Sequence, residues 1–423
     1  MSMNTMFSEK RLARESLAYT ARLIDKCGPR LAGSESARLA AEALHAELAR
    51  HCDSAHVEDF DVRPGAFLGF LKVSATLFIL SSFLLYFGRI VAAAIGYTLA
   101  MFMAFSQFIC YWQIFDPLYS KKKGYNVYGV IEPEGEVRGQ VIVSGHHDSA
   151  YEFWLMTHLG WAYRISVAGI IIALSVSPVF AWIWAVYQGI AGTPPGFAPV
   201  YTYCSLAMFV FIIPMYFFTG KNGTPGAGDN LIASALSVRL AKFFGNAKKA
   251  GKSALRHTRL IFLSVDAEEA GLRGSRAYVK RHSVDLRALP THVLNLDSIY
   301  RKDKIKFLVS DINGFVNLSR AMAEECADVA VKAGYTAELF RMYPGVGGTD
   351  AAEFAKIGVE ATTLIAMPTD VEKERLVYHT RDDVVENIEP GAVEACLRIV
   401  YDYIVKKDCE AAMRGQPVSA GAC

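Results

Sequence analysis

The chain has 423 residues, with 44 Lys and Arg against 42 Asp and Glu, a net charge of +2, and 52% hydrophobic residues; its mean hydropathy is +0.22. This balance excludes a disordered chain, a collagen-like chain and a disulfide-framed mini-protein. A near-zero charge without a dense basic block also argues against a nucleic-acid partner.

In chain order, residues 9–25 and 34–51 show helical periodicity, with a break at Gly28-Pro29 and Ser34 placed as an N-cap. Residues 57–62 alternate like a strand. Residues 67–87 are apolar apart from Lys72, and 90–115 carry no charge, with Gly88-Arg89 as a tight reversal between them. Strands follow at 126–131 and 140–145, separated by Glu132-Pro133-Glu134-Gly135-Glu136, which predicts a hairpin. Residues 165–220 are 56 positions without a charged side chain, divided by Gly192-Thr193-Pro194-Pro195-Gly196. Beyond them the pattern predicts helix 230–244, strand 259–265, helix 272–283, strand 292–296, helix 314–333, strand 360–365 and helix 390–406. Strands alternating with helices imply an α/β fold, a mostly parallel central sheet flanked by helices.

Crossing a hydrocarbon core takes about 20 apolar residues in a helix. Segments 67–115 and 165–220 therefore predict four transmembrane helices in two hairpins, and the tryptophans (112, 154, 161, 182, 184) lie in or beside them as interfacial anchors. Without these 105 residues, the remaining 318 carry 84 charges, an ordinary density for a soluble domain. Segments 1–66, 116–164 and 221–410 thus read as one domain interrupted twice, followed by a tail at 411–423. An even number of spans in each insert leaves that whole domain on one side of the membrane. Its flanks hold Arg63, Lys121, Lys122, Lys123, Arg164 and Lys221, whereas the hairpin tips hold only Arg89, which predicts the cytoplasmic side. Residues 1–30 have no secretory-signal pattern. The eight cysteines lack CxxC spacing and read as reduced thiols.

Polar clusters fall where strands end, the usual position of ligands in such sheets. They are Gly145-His146-His147-Asp148, Gly228-Asp229-Asn230, Asp266-Ala267-Glu268-Glu269, Asn295-Leu296-Asp297 and Tyr378-His379-Thr380. Singly, each has a plain structural explanation as a hydrogen-bonded pair, a solvated face or an N-cap. Together, two imidazoles and three carboxylates suit a pair of divalent ions that share one bridging carboxylate, with a further carboxylate left for proton transfer.

The ordered motifs Gly145-His146-x-Asp148, Gly226-Ala227-x-Asp229-Asn230, Glu268-Glu269-x-Gly271-Leu272-x-Gly274-Ser275, Asn295-Leu296-Asp297 and Tyr378-His379-Thr380 resemble the M28 family of di-zinc aminopeptidases. So does Gly28-Pro29-Arg30-Leu31-Ala32-Gly33-Ser34. The resemblance covers about 10–405 outside the hairpins and implies a zinc-exopeptidase sandwich. It implies two Zn2+ per chain: His146, Asp297 and bridging Asp229 on one, and Glu269, His379 and the same Asp229 on the other. Glu268 is then the general base towards a water held between the metals, and Asp148 orients His146 from behind. Two such cations lower the water's pKa, polarise the scissile carbonyl and stabilise the oxyanion. Tyr378 is a candidate oxyanion donor, with packing as the alternative, and Asp383 supports its loop. His147 and His158 have no counterpart and read as structural. Thr349-Asp350-Ala351 stands where the family often has Ser-Asp-His, so the side-chain preference is open, and Gly345–Gly348 reads as a flexible loop.

The implied activity is a membrane-integral metallo-exopeptidase, most simply an aminopeptidase acting near the membrane surface, because Asp229 stands only nine positions after 220. Its partners are then peptides and the lipid bilayer. The hairpins either present hydrophobic, membrane-associated peptides or serve as anchor and homo-oligomer surface. Rival readings are a carboxypeptidase or glutaminyl cyclase on the same fold, or a receptor or assembly subunit that has lost its metals.

Overall fold

The computed structural model describes residues 6–159, 162–252, 255–369 and 377–414; Trp161 and most of the expected tail at 411–423 lie outside them. The chain divides into two compact units, one of 1–64, 121–150 and 223–423, the other of 65–120 and 151–222.

The first unit is built on a nine-stranded sheet. Its strands are β1 (Ser54–Val62), β2 (Lys122–Ile131), β3 (Gly139–His146), β4 (Thr258–Val265), β5 (Thr291–Ile299), β6 (Ile305–Asp311), β7 (Val316–Asn317), β8 (Glu338–Arg341) and β9 (Glu360–Ala366). They lie in the order β1-β2-β4-β3-β5-β9-β6-β7, with β8 beside β6. The inner four, β4-β3-β5-β9, are parallel; β1, β2 and β6 add antiparallel edges. Every residue of β3 and β5 is buried, the pattern of parallel strands covered on both faces. On one face Val141, Val143, Leu260, Phe262, Leu294 and Leu296 pack under helices that include Ile232–Lys249 and Pro390–Met413. On the other face Ile142, Leu263, Val265, Val293 and Leu308 meet Tyr278 of helix Arg273–Ala288 and Phe354 of Ala351–Ala355. The expected α/β sandwich is present; its sheet is mixed, with four parallel and four antiparallel pairings, rather than mostly parallel.

Helices Glu9–Cys27 and Glu35–His51 are separated by Gly28, at φ +66°, and Ser34 caps the second by accepting from the Ala37 amide at 3.1 Å. Three expectations are corrected. The segments 126–131 and 140–145 do not form a hairpin, because β4 lies between β2 and β3. The turn that joins them gives its amides to the chain entering β4 instead: Glu134 to Leu255, Gly135 to Arg256 and Arg138 to His257. Helix 314–333 begins only at Arg320, where Ser319 accepts from the Met322 amide at 3.2 Å; β6, which the periodicity does not predict, precedes it. Helix 390–406 runs on to Met413.

The second unit contains four helices long and apolar enough to cross a membrane: Pro64–Tyr86, Ile90–Ile109, Ala162–Ala191 and Ala198–Phe217. The span expected over 90–115 ends at Ile109 in a π-helical turn. Small and polar side chains face inward, as in the Ser82–Tyr97 hydroxyl pair at 2.8 Å and the Ser74 bond to the Ala100 carbonyl at 3.0 Å. Large apolar ones face outward, among them Ile190 at 84% exposure and Phe87 at 71%.

Candidate metal centre

The parallel strands deliver their carboxyl ends to one place. β3 ends on His146, the turn after β4 carries Glu268 and Glu269, and β5 carries Asp297. Asp229 precedes helix Ile232–Lys249 in an irregular turn whose Asp229–Asn230 peptide is cis. The Asn230 side-chain amide holds that turn to the Leu296 carbonyl of β5 at 2.7 Å. Gly145 lets the helix approach, since a Cβ there would meet Ala233 Cβ at 2.6 Å.

Asp229 stands between two histidines. Its Oδ1 is 3.2 Å from His146 Nε2, and its Oδ2 is 3.1 Å from His379 Nε2. Glu269 Oε2 is 3.2 Å from the same His379 nitrogen. Asp297 Oδ1 and Glu268 Oε2 lie 4.0 and 3.8 Å from His146 Nε2. Ligand atoms of His146, Asp229 and Glu269 converge within 4.8 Å of one another, as do those of His146, Glu268 and Asp297. All five expected ligands and Glu268 are thus gathered together, with Asp229 between the two imidazoles.

The surroundings hold these groups in place. Asp148 accepts the amides of Glu268 and Glu269, each at 3.1 Å, and its Oδ1 lies 3.3 Å from His146 Nδ1. It therefore fixes a histidine and a glutamate pair together. Asp383 plays the matching part behind Asp229: it accepts the Gly228 amide at 2.7 Å and the Asp229 amide at 3.3 Å. The Tyr378 ring stacks on that of His379 at 3.7 Å, and Asp229 and Glu269 raise its phenol further above the value that burial already gives. Asp350 is buried beside this group, and burial pushes its carboxyl up to about 7. The segment expected to be flexible is pinned, with Asn313 Oδ1 accepting the amides of Gly345 and Gly347 at 2.8 and 3.2 Å. His147 is a buried structural histidine, 2.8 Å from Ser264 Oγ, and burial takes it down to about 3.

Electrostatically the group asks for cations. Burial raises Glu268 and Asp297 well above the usual carboxylate range and Glu269 to about 7. Burial disfavours the charged imidazoles too, but Glu268 lifts His146 well above its ordinary value and Glu269 lifts His379 to about 10. His146 Nε2, Asp229 Oδ2 and Glu269 Oε1 are buried without an aligned hydrogen bond. Unaligned donor atoms of N and O type, with no thiolate among them, fit zinc. In an Asp148→Asn variant the amide cannot accept at both oxygens, so zinc affinity should fall about 10- to 100-fold in a chelator competition.

This geometry coincides with the comparisons. Residues 213–404 match the model of Peptidase family M28, in agreement with the resemblance carried by the motifs. His146 and Asp148 precede the matched residues and are brought to the others by the fold. A zinc aminopeptidase from Bacillus subtilis superposes with a TM-score of 0.54 at 14% identity, covering 93% of this chain and 95% of that one. A Zn-dependent exopeptidase from Parabacteroides distasonis gives 0.53 at 14%, covering 93% and 97%. A glutaminyl cyclase from Tannerella forsythia gives 0.54 at 14%, covering 93% and 98%. These likenesses show the fold. A probable glutamate carboxypeptidase from Arthroderma benhamiae is 42% identical over 72 residues, 17% of this chain, and the match spans a tenth of that relative's length.

Proposed function

We propose that the chain is a zinc metallo-exopeptidase of the aminopeptidase kind, carried in a membrane by its four apolar helices. The observation that supports it most is Asp229 with one carboxylate oxygen at each of two histidines, 3.2 and 3.1 Å away. His146, Asp297 and Asp229 would hold one zinc, and Glu269, His379 and Asp229 a second. When bound, the pair supplies Lewis acidity to the scissile carbonyl and makes water nucleophilic near neutral pH.

The chain's own groups do the rest. Glu268 accepts the proton of the attacking water and returns it to the departing amine. Asp148 holds the Glu268 amide at 3.1 Å, which fixes the backbone that carries the base. Tyr378, whose ring stacks on His379 at 3.7 Å, is the proposed donor towards the carbonyl oxygen, with packing as its alternative role. Apolar surface on the four helices supports residence in a bilayer, and the basic flanks favour a cytoplasmic peptidase domain.

The test is a peptide library with free, acetylated and amidated ends, digested by detergent-purified protein and read by mass spectrometry, beside metal analysis. Loss of N-terminal residues only from free amines, with about two zinc per chain, is the expected result. Trimming from the carboxyl end would make it a carboxypeptidase, and loss of ammonia from N-terminal Gln a cyclase. Absence of both zinc and turnover would leave a binding protein.

A further inference from the structure

The segment Gly28-Pro29-Arg30 has no part in the chemistry above, yet Arg30 is wholly buried. Its guanidinium donates from Nε to the His147 carbonyl at 2.7 Å, from Nη1 to the Gly28 carbonyl at 3.0 Å and from Nη2 to the Gly226 carbonyl at 2.8 Å. Its amide donates to Ser149 Oγ at 2.9 Å, and the Ser149 amide returns a bond to the Arg30 carbonyl at 3.0 Å. His147 lies between His146 and the clamp Asp148; Gly226 opens the turn that carries Asp229. Gly226 sits at φ +59°, and a Cβ there would stand 2.9 Å from Arg30 Nη2 and 2.6 Å from Ser149 Cβ. The turn is therefore shaped to receive the guanidinium. Burial lowers Arg30 to about 10, and Asp383 and Asp148, the two clamps, hold it charged.

We propose that Arg30 is a positioning residue for the metal centre: its guanidinium ties the His146–Asp148 segment to the Gly226–Asp229 turn through the His147 and Gly226 carbonyls. The proposal rests on the reading of the site as a metal centre. A planar fork reaching three carbonyls in fixed directions is a task for Arg; an ammonium offers the charge without the fork. Loss of the fork lets the His146 and Asp229 segments shift apart, which changes the geometry offered to a metal.

The experiment compares wild type with Arg30→Lys, as full chain in detergent, by zinc affinity in chelator competition, by the visible spectrum of the cobalt-substituted protein and by the Tm of the metal-free form. Weaker zinc binding by about 10- to 100-fold with altered cobalt bands is expected. A lowered Tm with wild-type zinc affinity and bands would mean a purely structural tie and overturn the proposal. Should Arg30→Lys fail to fold, Arg30→Gln, which buries a planar amide rather than an ammonium and still lacks the fork, carries the same comparison: weakened zinc binding with altered bands supports the proposal, and wild-type binding and bands overturn it. A wild-type protein that binds no zinc would instead remove the metal reading on which the proposal stands.

Discussion

Replacing Glu268 by Gln should leave zinc bound and lower kcat about 10²- to 10⁴-fold. The substitution keeps the shape of the side chain and the backbone bond from its amide to Asp148 at 3.1 Å, so the site stays assembled. It removes the carboxylate that can take up a proton. Zinc content and single-turnover rates on the same preparation separate the two effects. A rate equal to wild type would exclude Glu268 as the base, and loss of zinc would make it a ligand instead. The second outcome has a structural basis to be tested, since Glu268 Oε2 lies as near His146 Nε2 as Asp297 Oδ1 does, at 3.8 against 4.0 Å.

Asp229→Ala should have the largest effect on metal, because this carboxylate faces both histidines. Its removal weakens both positions at once, whereas His379→Ala strips ligands from only one. The expected stoichiometries are near zero for Asp229→Ala and about one for His379→Ala, measured by elemental analysis after gel filtration. Equal losses in the two variants would mean that Asp229 serves a single ion. A pH dependence follows. In the metal-free protein burial disfavours both charged imidazoles, but Glu268 raises His146 well above its ordinary value and Glu269 raises His379 to about 10. Zinc must displace the imidazole protons, so its affinity rises with pH and declines as the solution is acidified.

Local signals are what the sequence carries well. The charge-free runs, the Gly28-Pro29 break, the Ser34 cap and the buried β-branched strands follow from composition and periodicity within a few residues. The site residues are legible because each stands at a strand end or helix start, in an order shared with a known family. Partners distant in sequence are not legible. Arg30 meets Gly226 across 196 positions, and nothing local marks Arg30 as buried. Asp383 reads as a loop residue until the fold sets it behind Gly228. The expected hairpin at 132–136 fails for a similar reason: a turn pattern shows that the chain reverses, but not which strand comes to lie in the gap. β6 and β8 escape notice because they are short, seven and four residues, and carry charged residues within them, Lys306 and Asp311 in β6 and Glu338 and Arg341 in β8.

The place of β4 between β2 and β3 also constrains how the protein is made. β2 and β3 are complete by His146, but the strand that joins them begins at Thr258. In between the ribosome must deliver all of 151–222, which is the longer of the two apolar inserts. Until then the nascent chain carries β2 and β3 with the edges that β4 will occupy still open, and His146 with Asp148 but without Asp229, Glu268 or Asp297. The sheet edges are thus open to mispairing during synthesis. The metal centre, whose later ligands run from Asp229 to His379, can be loaded only after the second insert has emerged. Emergence of the apolar helices comes first in time, closure of the sheet second and completion of the ligand set last.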